Sequence, residues 1–334
     1  MDGKSYNQLV VEQFKKNKLA HYAFYVLIGF FVIAIFADFL ANDKPLLCSY
    51  NGNISSPVIK EYFVDMGLVK WEEEFLNIEW KDLEYDFSIW PLVPFLPSNI
   101  DFMSRFAPPG KNNHFLGTDQ LGRDVLSGII HGFRTSLIIG FVVMSIASII
   151  GITLGALAGY YGGWVDIIIQ RLIELMLTMP TFFLILTIVA FYPGGGIWVI
   201  MIVIGLTSWT GIARYTRGEF LKTRNLDFVS ASVAMGNSEL RTIFRHILPN
   251  SIAPVLVAVA FGIASAILTE SSMAFLGITP ANSFTWGTIL AVARGATYAW
   301  WLALFPGLAI FITVTVYNLV GEGLRDALDP RLKQ

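Results

Sequence analysis

The sequence predicts an all-α polytopic membrane protein with six transmembrane helices and an irregular external insertion between helices 1 and 2. Three observations carry that prediction. Of 334 residues, 54% are hydrophobic and only 14% charged, with a mean hydropathy of +0.59, whereas a soluble domain carries about 25% charged residues. Uncharged runs of 19 residues or more recur along the chain, and about 20 apolar residues cross the bilayer core as a helix. Lysine and arginine concentrate in alternate connections, as the positive-inside rule demands. This composition excludes a soluble enzyme, a disordered chain and a collagen. The net charge of −2 supplies no basic field for nucleic acid. With one cysteine, Cys48, there is no intrachain disulfide framework and no multi-cysteine metal site.

Residues 1–21 read as a cytoplasmic N-terminus carrying Lys4, Lys15, Lys16 and Lys18. The first span, 22–40, draws on the 19 uncharged residues between Lys18 and Asp38. Polar residues precede it and no small-residue cleavage site follows, so it reads as a retained helix rather than a signal peptide. Residues 41–134 form the external insertion plus an amphipathic helix. Between Ala41 and Gly117 stand 11 acidic and 6 basic residues, and Pro91, Pro94, Pro97, Pro108 and Pro109 favour loops. Trp71, Trp80, Trp90 and several Phe can pack a small core or lie at the membrane surface, and the core reading is favoured. Leu121, Val125, Leu126, Ile129, Ile130 and Phe133 then recur at helical spacing behind a capping Thr118-Asp119, in a helix that runs into the second span.

The second span, 135–158, lies in the 31 uncharged residues between Arg134 and Asp166. Gly151, Gly155, Gly159 and Gly163 follow at four-residue spacing, a face on which another helix can approach closely. The 39 uncharged residues from Leu175 to Ala213 are about twice what one span requires. The turn Tyr192-Pro193-Gly194-Gly195-Gly196 divides that run into spans 167–191 and 197–213. The connection 214–250 holds Arg214, Arg217, Lys222, Arg224, Arg241 and Arg245 and falls inside. The fifth span, 252–275, repeats the small-residue device with Ala258, Gly262 and Ala266. An external loop, 276–300, precedes the sixth span, 301–321. The tail 322–334, with Arg325, Arg331 and Lys333, is again cytoplasmic.

No GxxxxGK[ST] phosphate loop, HExxH or cysteine–histidine cluster occurs. His21, His114, His131 and His246 are scattered over different segments. The ionisable residues in or near spans, Asp38, Arg171, Glu174 and Glu270, stand toward span ends, where pairing or snorkelling keeps them near water. Arg171 and Glu174, three apart on one helix face, can pair with each other.

The informative segment is the 37-residue connection 214–250. It contains Asp227-Phe228-Val229-Ser230-Ala231-Ser232-Val233-Ala234-Met235-Gly236 and then Ile243-Phe244-Arg245-His246-Ile247-Leu248-Pro249-Asn250. Small residues at 230–232, apolar Val233 and Met235 and a breaking Gly236 describe a short helix, a bend and a second helix. Such a knuckle fits a groove on a partner; the alternative is a helix lying on the membrane surface.

Here the sequence resembles the permease subunits of ATP-binding-cassette (ABC) importers, in the dipeptide/oligopeptide branch. Their signature is Glu-Ala-Ala, three residues, Gly, nine residues and Ile-x-Leu-Pro. Ser230-Ala231-Ser232 stands for Glu-Ala-Ala, Gly236 for the glycine and Leu248-Pro249 for the end. Ser230 replaces the glutamate, Ser232 the second alanine and His246 the isoleucine. Three further segments are similar to that branch: the run from Leu116 to Ser127, Gly159-Tyr160-Tyr161-Gly162-Gly163-Trp164-Val165-Asp166, and Trp301–Gly307 together with Gly323–Arg331. Ala41-Asn42-Asp43-Lys44-Pro45-Leu46-Leu47 is similar to the start of the enlarged external segment in microcin-C-type oligopeptide permeases. The resemblance, to the second or C-like permease, covers nearly the whole chain, with 48–110 matched least well.

The resemblance implies a type I ABC importer permease fold in the bacterial inner membrane. It implies that the chain forms half of a heterodimeric pore with a second permease subunit. Two ATP-binding-cassette ATPase subunits would sit inside, and an external substrate-binding protein would deliver di- or oligopeptides. No catalytic residue, metal or cofactor is then expected on this chain; ATP and Mg²⁺ belong to the ATPases. Asp227, Ser230, Ala231, Ser232, Gly236, Leu248 and Pro249 would form the ATPase contact, with Ala231 permitting close approach and Gly236 setting the bend. The residues alone also admit a self-sufficient secondary transporter or channel, but they supply neither mid-membrane acids nor an evident inverted repeat for one. No substrate-binding residue is assigned.

Overall fold

Backbone groups in hydrocarbon must bond within their own segment, so the apolar runs fold as helices, and proline and glycine decide where they break. The computed structural model describes residues 6–75, 78–192, 195–280 and 283–328. The chain begins with α1 (Tyr6–Lys16), α2 (Lys18–Ile35), α3 (Ala37–Leu40), β1 (Leu47–Tyr50), β2 (Asn53–Ser55), α4 (Pro57–Asp65) and β3 (Phe87–Ile89). It continues with α5 (Val125–Tyr161), α6 (Gly163–Thr178), α7 (Thr181–Phe191), α8 (Gly196–Thr223), α9 (Asp227–Ala234) and α10 (Glu239–Arg241). A π-helical turn, Thr242–Ile247, leads into α11 (Leu248–Phe275), followed by α12 (Trp286–Ala293) and α13 (Trp301–Leu328).

Among the described residues, five helices are long and apolar enough to cross a membrane: α2, α5, α8, the run Glu239–Phe275 and α13. Counted as one span, α6 and α7 together, bent by 83°, make a sixth. The sequence reading ran one span over 167–191. The bend comes from Pro180, which has no N–H to continue the ladder and drives the residue before it out of the helical region. Met179 is accordingly extended, at φ −82° and ψ 127°.

Two other boundaries differ from the sequence reading for physical reasons. The amphipathic helix runs into the second span as one continuous α5, as the sequence indicates, but its cap is Asp124 rather than Thr118-Asp119. Asp124 Oδ1 accepts the Ser127 N–H at 2.7 Å. The fourth span, read as 197–213, continues to Thr223 because Thr216 and Phe220 remain fully buried beyond the apolar run.

The chain divides into two units, one of Met1–Ile28, Ile138–Pro280 and Ile310–Gln334, the other of Gly29–Leu137 and Ala281–Ala309. In the first, α8 packs against α7 and α11. The glycine face of α5 meets α8 directly: a Cβ at Gly151 would stand 2.7 Å from Ile212 Cβ and Trp209 O. A Cβ at Gly155 would meet Ala213 O and Thr216, and one at Gly159 would meet Phe220 and Arg217. Gly163 is not part of this face. It has no heavy atom within 4 Å of its Cβ position and a φ of +50°, because α5 has ended at Tyr161 and Gly162-Gly163 turn the chain into α6. In the fifth span, Gly262 does admit a neighbour, the Met144 side chain.

In the second unit the insertion is partly ordered, not loop alone. An antiparallel sheet of order β2-β1-β3 pairs Cys48 with Ser55 on one side and Ser88 on the other. Phe75 stacks on Trp80 at 5.2 Å, with Trp71 against the Trp80 edge and the Tyr85 hydroxyl donating to Trp80 O at 2.7 Å. Burial pushes the Tyr85 phenol up to about 12. The 276–300 loop contains α12, whose fully buried Trp286 donates to Ile129 O at 3.0 Å.

Candidate functional site

The connection between α8 and α11 folds as a knuckle on the first unit. Helix α9 buries Val229 and Ser232, three apart on one face, and leaves Asp227, Phe228, Ser230, Ala231 and Val233 exposed. Val229 packs with Ala156 of α5, Phe220 of α8 and Ile243 and Ile247 of the π-helical turn. The helix then stops in a Schellman arrangement: Gly236 N–H donates to Val233 O at 2.9 Å and Asn237 N–H to Ser232 O at 3.3 Å. Gly236 takes φ +78°, a conformation that costs a residue with a Cβ about 1 kcal/mol or more.

Beneath α9 lies a buried polar group. Ser232 Oγ and Thr242 Oγ1 are 3.1 Å apart, and Asn237 Nδ2 donates to Ser232 Oγ at 3.2 Å. The chain leaves through the π-helical turn, where Leu248 N–H reaches Ile243 O, five residues back. Pro249 accounts for that turn: it cannot donate to Arg245 O, and its ring excludes the carbonyl four residues back. Three contacts fasten the surroundings. Arg224 Nη1 donates to Gly159 O at 3.1 Å, a cation on the last carbonyls of α5. The Tyr161 hydroxyl donates to Glu239 Oε2 at 2.8 Å. Arg217 binds Asp166 through Nε and Nη2, both at 2.6 Å. The Arg171–Glu174 pair also forms, at 2.6 Å on an exposed face.

The seven residues singled out by sequence therefore occupy five settings. Asp227, Ser230 and Ala231 are exposed on α9, Ser232 is buried under it and Gly236 makes its bend. Leu248 packs on the Val229 cluster and Pro249 sits exposed in the first turn of α11. Sequence reasoning did not reach Asn237, Thr242, Arg224 or the Tyr161–Glu239 pair; only the polar type of Asn237 and Thr242, one and six residues after the glycine bend, hinted at a link. Around the exposed face stand Leu226, Phe228, Val233, Met235, Leu240 and Phe244, with Met235 74% and Leu240 60% exposed. Six apolar side chains thus rim the exposed small-residue face of α9.

The run from Leu116 to Ser127 builds a closed loop at the head of α5 in the second unit. The Thr118 hydroxyl donates to Ser104 O and accepts the Ala107 N–H at 2.8 Å. Asp119 Oδ1 accepts the N–H groups of Leu121 and Arg123 at 2.8 and 2.9 Å, and burial holds its carboxyl above the ordinary range. Asp124 Oδ2 pairs with His114 Nδ1 at 2.8 Å, and Trp301 Nε1 donates to Thr118 O at 3.0 Å. Thr118, Asp119 and Asp124 thus serve to fold the loop. Among the described residues, no three His, Cys, Asp or Glu side chains are grouped to hold a metal.

Residues 151–334 match the family described as binding-protein-dependent transport system inner membrane component, a stretch that includes the glycine face, α8 and the whole knuckle. The chain belongs to this family. Residues 5–54 match the N-terminal TM domain of oligopeptide transport permease C. As a member the chain has the type I ABC importer permease fold and is a permease subunit of an ABC importer. It is 33% identical to the peptidoglycan transport system permease protein YejE of Agrobacterium fabrum, over 96% of this chain and 92% of that one. It is also 33% identical to the inner membrane ABC transporter permease protein YejE of Escherichia coli, over 97% of each. The dipeptide transport system permease protein DppC of Alkalihalophilus pseudofirmus is 40% identical over 66% of this chain and 73% of its own. The family's YejE members thus align through the insertion, whereas this dipeptide permease aligns over two-thirds of the chain.

Proposed function

We propose that this chain forms one half of a heterodimeric peptide pore in the bacterial inner membrane, both termini cytoplasmic, driven by two separate ATPase subunits that contact the 227–236 knuckle. The observation that carries the reading is the exposed small-residue face of α9, Ser230-Ala231, ringed by apolar side chains and seated on three spanning elements. The chain itself is a pore subunit rather than an enzyme, and ATP and Mg²⁺ bind to the ATPases. An external binding protein delivers the solute. Peptides are the substrate class, supported by relatives named as dipeptide and glutathione permeases.

Closure of the ATPase dimer pushes α9, and its buried face passes the displacement to α5, α8 and the π-helical turn. ATP shifts the pore between inward-open and outward-open states only through contacts that differ between them. The test is a mild-detergent pull-down of the tagged chain from its native membranes, read by mass spectrometry and ATPase assay. Recovery of a second six-span permease with ATPases is expected. Recovery of the chain alone, or only as a homo-oligomer, overturns the reading in favour of a self-sufficient transporter.

A further inference from the structure

We infer that Ser232, Thr242 and Asn237 are positioning residues that latch α9 to the head of α11, so that a push on α9 is delivered to the fifth span. This rests on the reading of α9 as the ATPase contact and adds the element that transmits its motion. Ser232 and Thr242 are 1% and 0% exposed, their hydroxyl oxygens 3.1 Å apart. The Asn237 amide closes the group from beyond the Gly236 bend at 3.2 Å. Thr242 opens the π-helical turn that continues directly into α11.

The remaining contact of α9 is apolar, Val229 on Ala156, Phe220, Ile243 and Ile247. Such contact is non-directional and tolerates sliding, whereas a hydrogen bond fixes both distance and angle. Helix α9 has eight residues, too few to hold its own conformation in water, so its anchors set its orientation. Of the other polar ties nearby, Tyr161 to Glu239 is exposed and weakly holding, while Arg224 to Gly159 O and Ser251 to Thr223 join α8 to α5 and to α11 without touching α9. Ser232 also stands where the resembled signature has alanine. An alanine there preserves the packing but leaves the Thr242 hydroxyl buried beside α9 without this partner.

The experiment uses the whole transporter, this chain with its partner subunits, in proteoliposomes. ATP hydrolysis and uptake of labelled trialanine are measured in the same vesicles. Ser232→Ala and Thr242→Val are each expected to cut trialanine moved per ATP hydrolysed by roughly fivefold, the weight of one hydrogen bond. Removing both hydroxyls together orphans neither of them and leaves only the half-buried Asn237 amide to turn to water, so the double variant regains most of the wild-type melting temperature while its transport ratio stays low. A purely structural role would restore both. A ratio within about twofold of wild type in the double variant, less than one hydrogen bond's worth, overturns the latch. Ala231→Arg, on the exposed face, tests the underlying reading separately. Release of the ATPases by Ala231→Arg alongside an unchanged ratio in the double variant sinks the latch alone. Retention of the ATPases with unchanged uptake in Ala231→Arg sinks the ATPase contact itself.

Discussion

Arg217 holds Asp166 with two arms of its guanidinium, Nε to Oδ1 and Nη2 to Oδ2, each at 2.6 Å. The pair joins the first turn of α6, just after the Gly162-Gly163 turn, to the polar end of α8. A planar fork matched to a carboxylate is the geometry a lysine cannot reproduce. Arg217→Lys should therefore lower stability by about 1 kcal/mol and Asp166→Ala by about 2 kcal/mol. Thermal unfolding of the purified protein in detergent micelles measures both, and equal melting temperatures for the three proteins would show that the fork contributes nothing.

The glycine face gives a graded prediction. Gly155→Val drives a side chain into Ala213 O and Thr216 and separates α5 from α8, a loss of about 3 kcal/mol from overpacking. Gly163→Ala meets nothing within 4 Å and carries only the cost of its φ of +50°, about 1 kcal/mol. The order of melting temperatures, wild type above Gly163→Ala above Gly155→Val, is the result to look for.

Gly236→Leu should leave membrane insertion intact, because its Cβ position is open. The strained φ of +78° tilts α9 instead, and uptake should fall while ATP hydrolysis by the assembled transporter continues. Membrane fractionation with paired uptake and hydrolysis assays reads this out; uptake at the wild-type rate would remove the bend from the coupling path.

Asp119 supplies a pH dependence with a definite sign. Burial raises its carboxyl above the ordinary value of 3.8, so the folded state binds the proton more tightly than the unfolded one. Its contribution to stability is fullest below the unfolded value and is lost as pH rises through the folded one. Asp119→Asn keeps an oxygen to accept the Leu121 and Arg123 N–H groups and carries no charge. The variant should gain stability over wild type at pH 7, and the gain should shrink as pH falls toward 4, as melting temperatures across that range will show.

Much of this structure was readable in the residues. Uncharged runs located the spans because hydrocarbon leaves the backbone no alternative to helix. Gly151, Gly155 and Gly159 announced a close helix contact through their spacing alone. Gly163 shared the spacing but lies past the end of α5, and a period cannot reveal where a helix stops. Pro180 was visible yet its consequence was not drawn, since an apolar run on both sides of a proline reads as one span until the extended Met179 is seen. Thr118-Asp119 looked like a cap and is a loop, because Asp119 spends its oxygen on Leu121 and Arg123, leaving Asp124 to begin α5. At the knuckle, the sequence marked the exposed face and the bend; the Ser232–Thr242 contact joins residues ten apart across a glycine turn, and no linear pattern records it.

The π-helical turn ahead of Pro249 has a rotational consequence. A π turn takes one residue more than the α turn it replaces, so everything before it is phased about 100° around the axis from where an unbroken helix would carry it. That offset brings Thr242 beneath Ser232 and Ile243 and Ile247 beneath Val229. An alanine at 249 would be free to donate to Arg245 O and let the turn rewind. The knuckle would then meet a different set of side chains. A proline more than ten residues from α9 thus acts as its index mark, deciding which face of the incoming helix the small-residue helix rides on.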